Sequence, residues 1–225
     1  MSPLRAVIFD FDGVIVDSEP LHLAAFRSAL APEGIELTDA EYWESYLGYD
    51  DHDAVVAALE RAGRRAAPDL VRTLMAEKAA HFLTLVGAGV VVFPGVEAFV
   101  EAARSRGPLA VGSGALRNEI EIILEGAGLR SAFRVIVSAE DVTHGKPDPE
   151  TYTRALAELR ADVPDLEPAF CLVVEDSVAG VEAAKAAGMR CLAVTNSCPR
   201  SALGAADAVV DSLAEVRWDA IDVAG

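Results

Sequence analysis

The chain is poor in positive charge. In 225 residues, 19 Lys and Arg stand against 36 Asp and Glu, a formal net charge of −17, and no basic run exceeds Arg64-Arg65. Nucleic-acid affinity rests on neutralising phosphates with basic side chains, so no nucleic-acid partner is expected. The same deficit argues against an anionic membrane surface. Long apolar runs are also lacking: the valine-rich stretch near residue 90 is short and carries glycines, well below the ~18–20 residues of a membrane span. The opening Met-Ser-Pro-Leu-Arg leads directly into a strand pattern without a signal core, which makes the cytoplasm the expected location. Cysteine is scarce and odd in number. Cys171 and Cys191 sit in apolar strand-like runs and Cys198 nearby, so all three read as small hydrophobes with free thiols in a reducing compartment. Neither a complete G-x-G-x-x-G nor a G-x-S-x-G elbow occurs, and dinucleotide binding and serine hydrolysis lack their signatures.

What is present is a globular composition, with 52% apolar residues, 24% charged and a mean hydropathy of +0.28. The length suits one large domain or a core domain with a smaller insert. Short β-branched runs recur at Ala6–Phe9, Leu109–Val111, Val135–Val137, Leu172–Val174, Leu192–Val194 and Ala208–Val210. They alternate with helical patterns such as Leu116, Ile120, Ile123, Leu124 and Ala127, closed by Gly126 and Gly128. Strand-helix alternation predicts right-handed crossovers and an α/β, doubly wound parallel sheet whose ligands sit at the carboxyl ends of the strands. Residues 17–91 break the alternation. Amphipathic patterns around Leu21–Leu30, Asp39–Leu47, Asp53–Ala62 and Leu70–Leu85 predict a helical insert at 17–91, with 1–16 and 92–225 forming the sheet domain. Trp43, Tyr46 and Phe82 are expected in the core of that insert.

Four strand ends carry polar residues. Asp10 and Asp12 follow the first strand, with Gly13 allowing a sharp turn. Two acids there suit a metal site, a nucleophile beside a general acid/base, or a solvated acidic turn. Gly112-Ser113-Gly114 precedes a helix and reads as an anion cradle or as an ordinary helix cap. Lys146 stands in His144-Gly145-Lys146-Pro147-Asp148-Pro149, a proline-stiffened loop presenting either a surface lysine or a fixed cation for a phosphate. Glu175-Asp176-Ser177 ends the next strand. Asp176 adds a carboxylate at the sheet edge, Glu175 can hold it in place, and Asp176 and Ser177 can cap the following helix.

In this order, the strings DFDGVIVDSE, GSG, GKPDP and VVEDS resemble the four motifs of the haloacid dehalogenase-like (HAD) hydrolase superfamily. The match is to its sugar-phosphate phosphatases and β-phosphoglucomutases, which carry an α-helical cap inserted after the first motif. The resemblance implies a Rossmann-like core in which Asp10 is the nucleophile that becomes an aspartyl-phosphate and Asp12 the acid/base. It implies that Ser113, Gly114 and Lys146 bind the phosphoryl oxygens. Mg²⁺ is the implied cofactor, held by the Asp10 carboxylate, the Asp12 backbone carbonyl and Asp176, with Glu175 assisting. An acid at position 12 points to phosphate esters, because dehalogenating and phosphonate-cleaving relatives lack it. His22 matches a cap-hinge histidine that supports Asp12, or is a helix-surface histidine, and Lys78 falls where relatives often place a lysine reaching toward the substrate, or is a solvated helix lysine. By loop position alone, Tyr49, Asp50 and His52 could line the pocket mouth. In the mutases a cap arginine grips a second phosphate, whereas this chain reads Gly48-Tyr49-Asp50-Asp51-His52, and residues 17–91 hold 13 acidic and 6 basic side chains. The expected protein is therefore a monomeric phosphatase whose cap closes over a small phosphorylated metabolite. A β-phosphoglucomutase-type transferase is the alternative, ahead of a non-catalytic phosphate-binding protein.

Overall fold

The computed structural model describes residues 4–46, 49, 51–87, 89 and 91–218. The chain divides into two compact units: Met1–Asp17 with Val90–Gly225, and Ser18–Gly89. In chain order the strands are β1 (Ala6–Phe9), β2 (Val16–Asp17), β3 (Val91–Val92), β4 (Leu109–Gly112), β5 (Phe133–Val137), β6 (Cys171–Glu175), β7 (Arg190–Val194) and β8 (Ala208–Val210). The six longer ones are the six predicted runs. They pair in parallel, in the spatial order β5-β4-β1-β6-β7-β8.

Period-two alternation explains why both sheet faces are covered. Ala6, Ile8, Val173, Cys191 and Ala193 point into one core with Tyr152, Leu156 and Leu159 of α7 (Glu150–Leu159) and Val181 and Ala184 of α8 (Val178–Ala186). Phe9 packs edge-on against Phe133 and against Phe99 of α5 (Val96–Arg104), with ring centroids 5.6 and 5.7 Å apart. Buried strands with helices on both faces lose the apolar-polar alternation of half-exposed strands, hence their continuous apolar runs. From β1 the chain builds outward through β4 and β5, then crosses to β6, β7 and β8. This reversal makes the carboxyl ends of β4, β1 and β6 the place where a doubly wound sheet leaves a crevice. Cys171 and Cys191 are buried free thiols, each pushed up to about 12 by burial, and Cys198 is half-buried.

The sequence shows no strand pattern at the borders of the insert, yet β2 and β3 pair there antiparallel, Val16 with Val92 and Asp17 with Val91. Two residues are too few for an alternation to be visible.

The second unit is helical: α1 (Glu19–Leu30), α2 (Asp39–Glu41), α3 (Asp51–Arg61) and α4 (Pro68–Gly87). A Thr38/Glu41 capping box starts α2, which satisfies orphan backbone donors reciprocally. Leu23, Phe26, Leu30, Val55, Leu59 and Leu74 form its core. The expected helix over 39–47 turns π-helical at Tyr42–Tyr46. Widening the turn puts Tyr42 and Tyr46 inward and leaves Trp43 45% exposed, so Trp43 is not the core residue its spacing predicts; Phe82 is. No described helix is long and apolar enough to cross a membrane.

Candidate active site

Asp10 directly follows β1, where its backbone N–H still donates to Val174 O of β6 at 2.9 Å. The chain then folds sharply. Ile15 N and Val16 N both donate to Phe11 O, Gly13 N donates to Val16 O at 2.9 Å, and Asn196 Nδ2 donates to Gly13 O at 2.6 Å. Gly13 has φ +77°, a region costly for any residue with a Cβ. Half-buried Asp12 sits on this turn, and its charge reaches Asp176.

At the end of β4, Ser113 N donates to Val137 O at 2.9 Å, and Ser113 Oγ accepts from Ala115 N at 3.0 Å. Ser113 is not the cap of α6 (Arg117–Gly126), because Leu116 occupies that position. It lines a cavity of about 220 Å³ with Gly114, Gly145, Lys146 and Thr151.

The Lys146 loop is held from within. Thr143 N and His144 N each donate to Glu150 at 2.9 Å, Glu150 N donates to Asp148 Oδ1 at 2.9 Å, and the Lys146-Pro147 peptide is cis. Lys146 Nζ donates to Asp10 Oδ1 at 2.7 Å and to Glu175 Oε1 at 2.6 Å. Glu175 is fully buried and receives four more donors: Tyr152 Oη at 2.6 Å on the same oxygen, and Asp176 N, Ser177 N and Ser177 Oγ on the other. Ser177 also caps α8 by accepting from Gly180 N at 3.0 Å. Asp176 accepts a hydrogen bond from Ser197 Oγ.

Tyr152, Asn196 and Ser197 are members of this cluster that the sequence reading does not find. Tyr152 carries one visible signal: it lies on the apolar stripe of α7, and a phenol on a core stripe requires a buried acceptor.

The electrostatics leave room for a cation. Carboxylate oxygens of Asp10, Glu175 and Asp176 lie within 4.8 Å of one another. Glu175 is held below the usual range despite its burial, because Lys146, Tyr152 and the backbone donors favour its ionised form. Burial raises Asp10 well above the ordinary carboxylate range, reinforced by Glu175 and Asp176 and opposed by Lys146. Burial and then Glu175 push Asp176 up to about 7. With Glu175's oxygens occupied by five donors, Asp10 and Asp176 are the pair whose charge is least compensated. Carboxylate oxygens are hard donors suited to a small divalent cation, so the residues fit one. Lys146 itself is raised above the ordinary lysine range, as Asp10 and Glu175 outweigh its burial.

The candidates in the helical unit are arranged differently. Lys78 is 1% exposed, with Nζ 2.6 Å from Asp51 Oδ1 and 2.9 Å from His22 Nδ1. It also stands 4.9 and 5.1 Å from the ring centroids of Phe26 and Phe82. The His22 ring stacks on Phe82, and burial, then the Lys78 charge, lowers it to about 3. Tyr49 is exposed, and exposed His52 pairs with Asp53 at 3.1 Å. Asp50 lies outside the described residues.

Residues 4–188 match the haloacid dehalogenase-like hydrolase family. The chain belongs to that family. It is 30% identical over 214 residues to validoxylamine A 7'-phosphate phosphatase of Streptomyces hygroscopicus subsp. limoneus, covering 95% of this chain and 96% of that one. It is 33% identical over 183 residues to fructose-1-phosphate phosphatase YqaB of Escherichia coli, covering 81% and 92%. Among solved structures, CbbY from Rhodobacter sphaeroides superposes with a TM-score of 0.81 at 29% identity, over 94% of this chain and 96% of that one. It is described in complex with phosphate and, as a mutant, with xylulose-1,5-bisphosphate. The protein is thus a HAD-like phosphoric monoester hydrolase of the sugar-phosphate phosphatase and β-phosphoglucomutase-like subfamily.

Proposed function

We propose that the protein is a Mg²⁺-dependent phosphatase that hydrolyses a small phosphate monoester, a sugar phosphate or a phosphoglycolate-like acid, through an aspartyl-phosphate on Asp10. The observation that carries this reading is the placement of one lysine, Lys146, on Asp10 Oδ1 at 2.7 Å beside a second buried carboxylate, Asp176. A carboxylate attacking a phosphate dianion meets repulsion, and fixed positive charge at the transferring group lowers that barrier. Asp10 attacks phosphorus, the ester P–O bond breaks, and Asp12 gives its proton to the departing oxygen. Asp12 then takes a proton from the water that attacks the aspartyl-phosphate, which releases inorganic phosphate and restores Asp10. Lys146 neutralises the charge shared by Asp10 and the phosphoryl group, while Ser113 and the Gly114 N–H bind phosphoryl oxygens. Asp10 and Asp176, with the Asp12 carbonyl, would hold Mg²⁺, which supplies Lewis-acid charge to the phosphoryl group.

Phosphate release from p-nitrophenyl phosphate and a panel of esters, with and without Mg²⁺, tests the reading. The panel includes phosphoglycolate, hexose phosphates, fructose 1-phosphate and, because of the CbbY complex, xylulose-1,5-bisphosphate. Mg²⁺-dependent release from at least one monoester is expected. Isomerisation of β-glucose 1-phosphate without net release from any ester would overturn it.

A further inference from the structure

Lys146 and Tyr152 belong to one stretch of chain, the loop after β5 and the first turn of α7, and both end on the same atom. Lys146 Nζ and Tyr152 Oη each lie 2.6 Å from Glu175 Oε1. The lysine ammonium also stands 4.9 Å from the centroid of the Tyr152 ring, which has no exposed surface. The other Glu175 oxygen is fastened by Asp176 N at 2.9 Å, Ser177 N at 3.1 Å and Ser177 Oγ at 3.0 Å. A Cβ on Gly180 would sit on the Glu175 carboxylate, and one on Gly112 would lie 3.3 Å from Tyr152 Cε1. The glycines of α8 and β4 thus let acid and ring close up from both sides.

We propose that Tyr152 is a positioning residue: its hydroxyl shares the charge of Glu175 Oε1 with Lys146 and so keeps the lysine ammonium on Asp10 and on the phosphoryl group Asp10 receives. The inference rests on the phosphatase reading above. An Oε1 that accepted from Lys146 alone would carry more uncompensated charge and draw the ammonium toward β6, away from Asp10. Burial, with Glu175 and Asp10 adding to it, raises the phenol well above its ordinary range, so it stays a neutral donor. Transition-state charge is where a displaced lysine costs most, while the ground-state ester is held by other contacts as well.

The test compares wild type with Tyr152→Phe, which keeps the ring and removes the hydroxyl. The readouts are Mg²⁺-dependent turnover of p-nitrophenyl phosphate, inhibition by orthovanadate as a mimic of the five-coordinate phosphorus, and melting temperature. The expected result is a kcat about tenfold lower with KM within about twofold, a vanadate inhibition constant raised in step with the loss in kcat/KM, and a melting temperature within a few degrees. In a Glu175→Gln background the added Tyr152→Phe change is expected to move the vanadate constant by less than about twofold, because its route to Lys146 is already weakened. Unchanged kcat and vanadate binding in an otherwise active enzyme overturns the inference alone. So does a Tyr152→Phe protein that fails to fold, or one that loses activity only in proportion to its folded fraction. A wild type that releases phosphate from no ester overturns the phosphatase reading, and this inference with it.

Discussion

Gly13 and Asp176 approach so closely that no side chain can stand at Gly13: a Cβ there would overlap Asp176 Oδ2 and would also meet Ser197 Oγ at 2.8 Å. The turn after β1 is thereby the wall against which the second acid of the cluster is set. Gly13→Ala therefore carries two costs, the left-handed φ and the eviction of a carboxylate. Gly34, with φ +72° and open space within 4 Å of where its Cβ would stand, carries only the first. The backbone penalty is about 1–2 kcal/mol in either case. Calorimetric titration with Mg²⁺ is expected to show at least about tenfold weaker binding for Gly13→Ala and wild-type binding for Gly34→Ala. Equal affinities in all three proteins would dissociate Asp176 from the cation site.

The Lys78–Asp51 pair is asymmetric, which makes its two halves unequal in mutation. Lys78 is 1% exposed at its side chain and Asp51 35%. Removing the acid leaves a buried ammonium facing a neutral imidazole and two rings, whereas removing the lysine leaves an acid that water can reach. Stranding a buried charge costs about 3–5 kcal/mol, and replacing it by an apolar side chain of similar shape costs little. Asp51→Ala is expected to destabilise the protein by about 3 kcal/mol in urea unfolding and Lys78→Met by about 1 kcal/mol or less. Small and equal effects of the two substitutions would show that the pair is solvated in solution.

The sheet is readable from sequence because buried parallel strands announce themselves as uninterrupted apolar runs, and the four polar strings are readable because they stand where those runs stop. What is not readable is the company these residues keep. Tyr152 looks like one more apolar position on α7, and only the tertiary structure brings Glu175 to its hydroxyl. Ser197 and Asn196 follow β7 in an unremarkable Thr-Asn-Ser-Cys-Pro string, and their bonds to Asp176 and Gly13 span 21 and 183 residues of sequence. In the helical unit, Trp43 fails as a core residue because a π-helical turn changes the period on which the expectation rests.

His22 gives the helical unit a dependence on pH of known sign. Its imidazole is lowered to about 3 by burial and the Lys78 charge, against about 6.5 in an unfolded chain. Between those values the unfolded chain binds a proton that the folded one does not, so stability falls as pH drops from about 6.5 toward 3. His22→Gln removes the titration while keeping a polar side chain. Thermal melts from pH 7 to pH 4 are expected to show a shallower loss for the variant than for wild type. Parallel curves would mean that His22 is solvated.

Asp10→Asn separates catalysis from stability. On the mechanism proposed above the variant has no nucleophile, so phosphate release is expected to fall at least about a thousandfold, since a covalent step is lost and not a single hydrogen bond. Burial, reinforced by Glu175 and Asp176, raises the Asp10 carboxyl well above the usual carboxylate range, so folding disfavours its ionised form, and the neutral amide removes that cost. In the presence of a chelator at pH 8, the variant is expected to melt above wild type. A lower melting temperature would show that the Asp10–Lys146 bond outweighs the burial of the acid.

Asp176 acts in the opposite direction from His22. Its folded-state value of about 7 lies above the ordinary ~3.9 of the unfolded chain. Between the two, the folded protein holds a proton that the unfolded chain has lost, so this contribution to stability is present at low pH and disappears as pH rises through about 7. A cation held by Asp10 and Asp176, as proposed above, would stabilise the ionised forms and abolish the proton uptake, because metal binding and protonation compete for the same oxygens. The stabilisation by Mg²⁺, measured as the difference in melting temperature with and without the ion, is therefore expected to grow from pH 5 to pH 8. His22 is not a ligand and contributes equally to both curves, so it cancels in that difference. A stabilisation that is flat with pH, or that survives Asp176→Asn undiminished, would place the cation elsewhere.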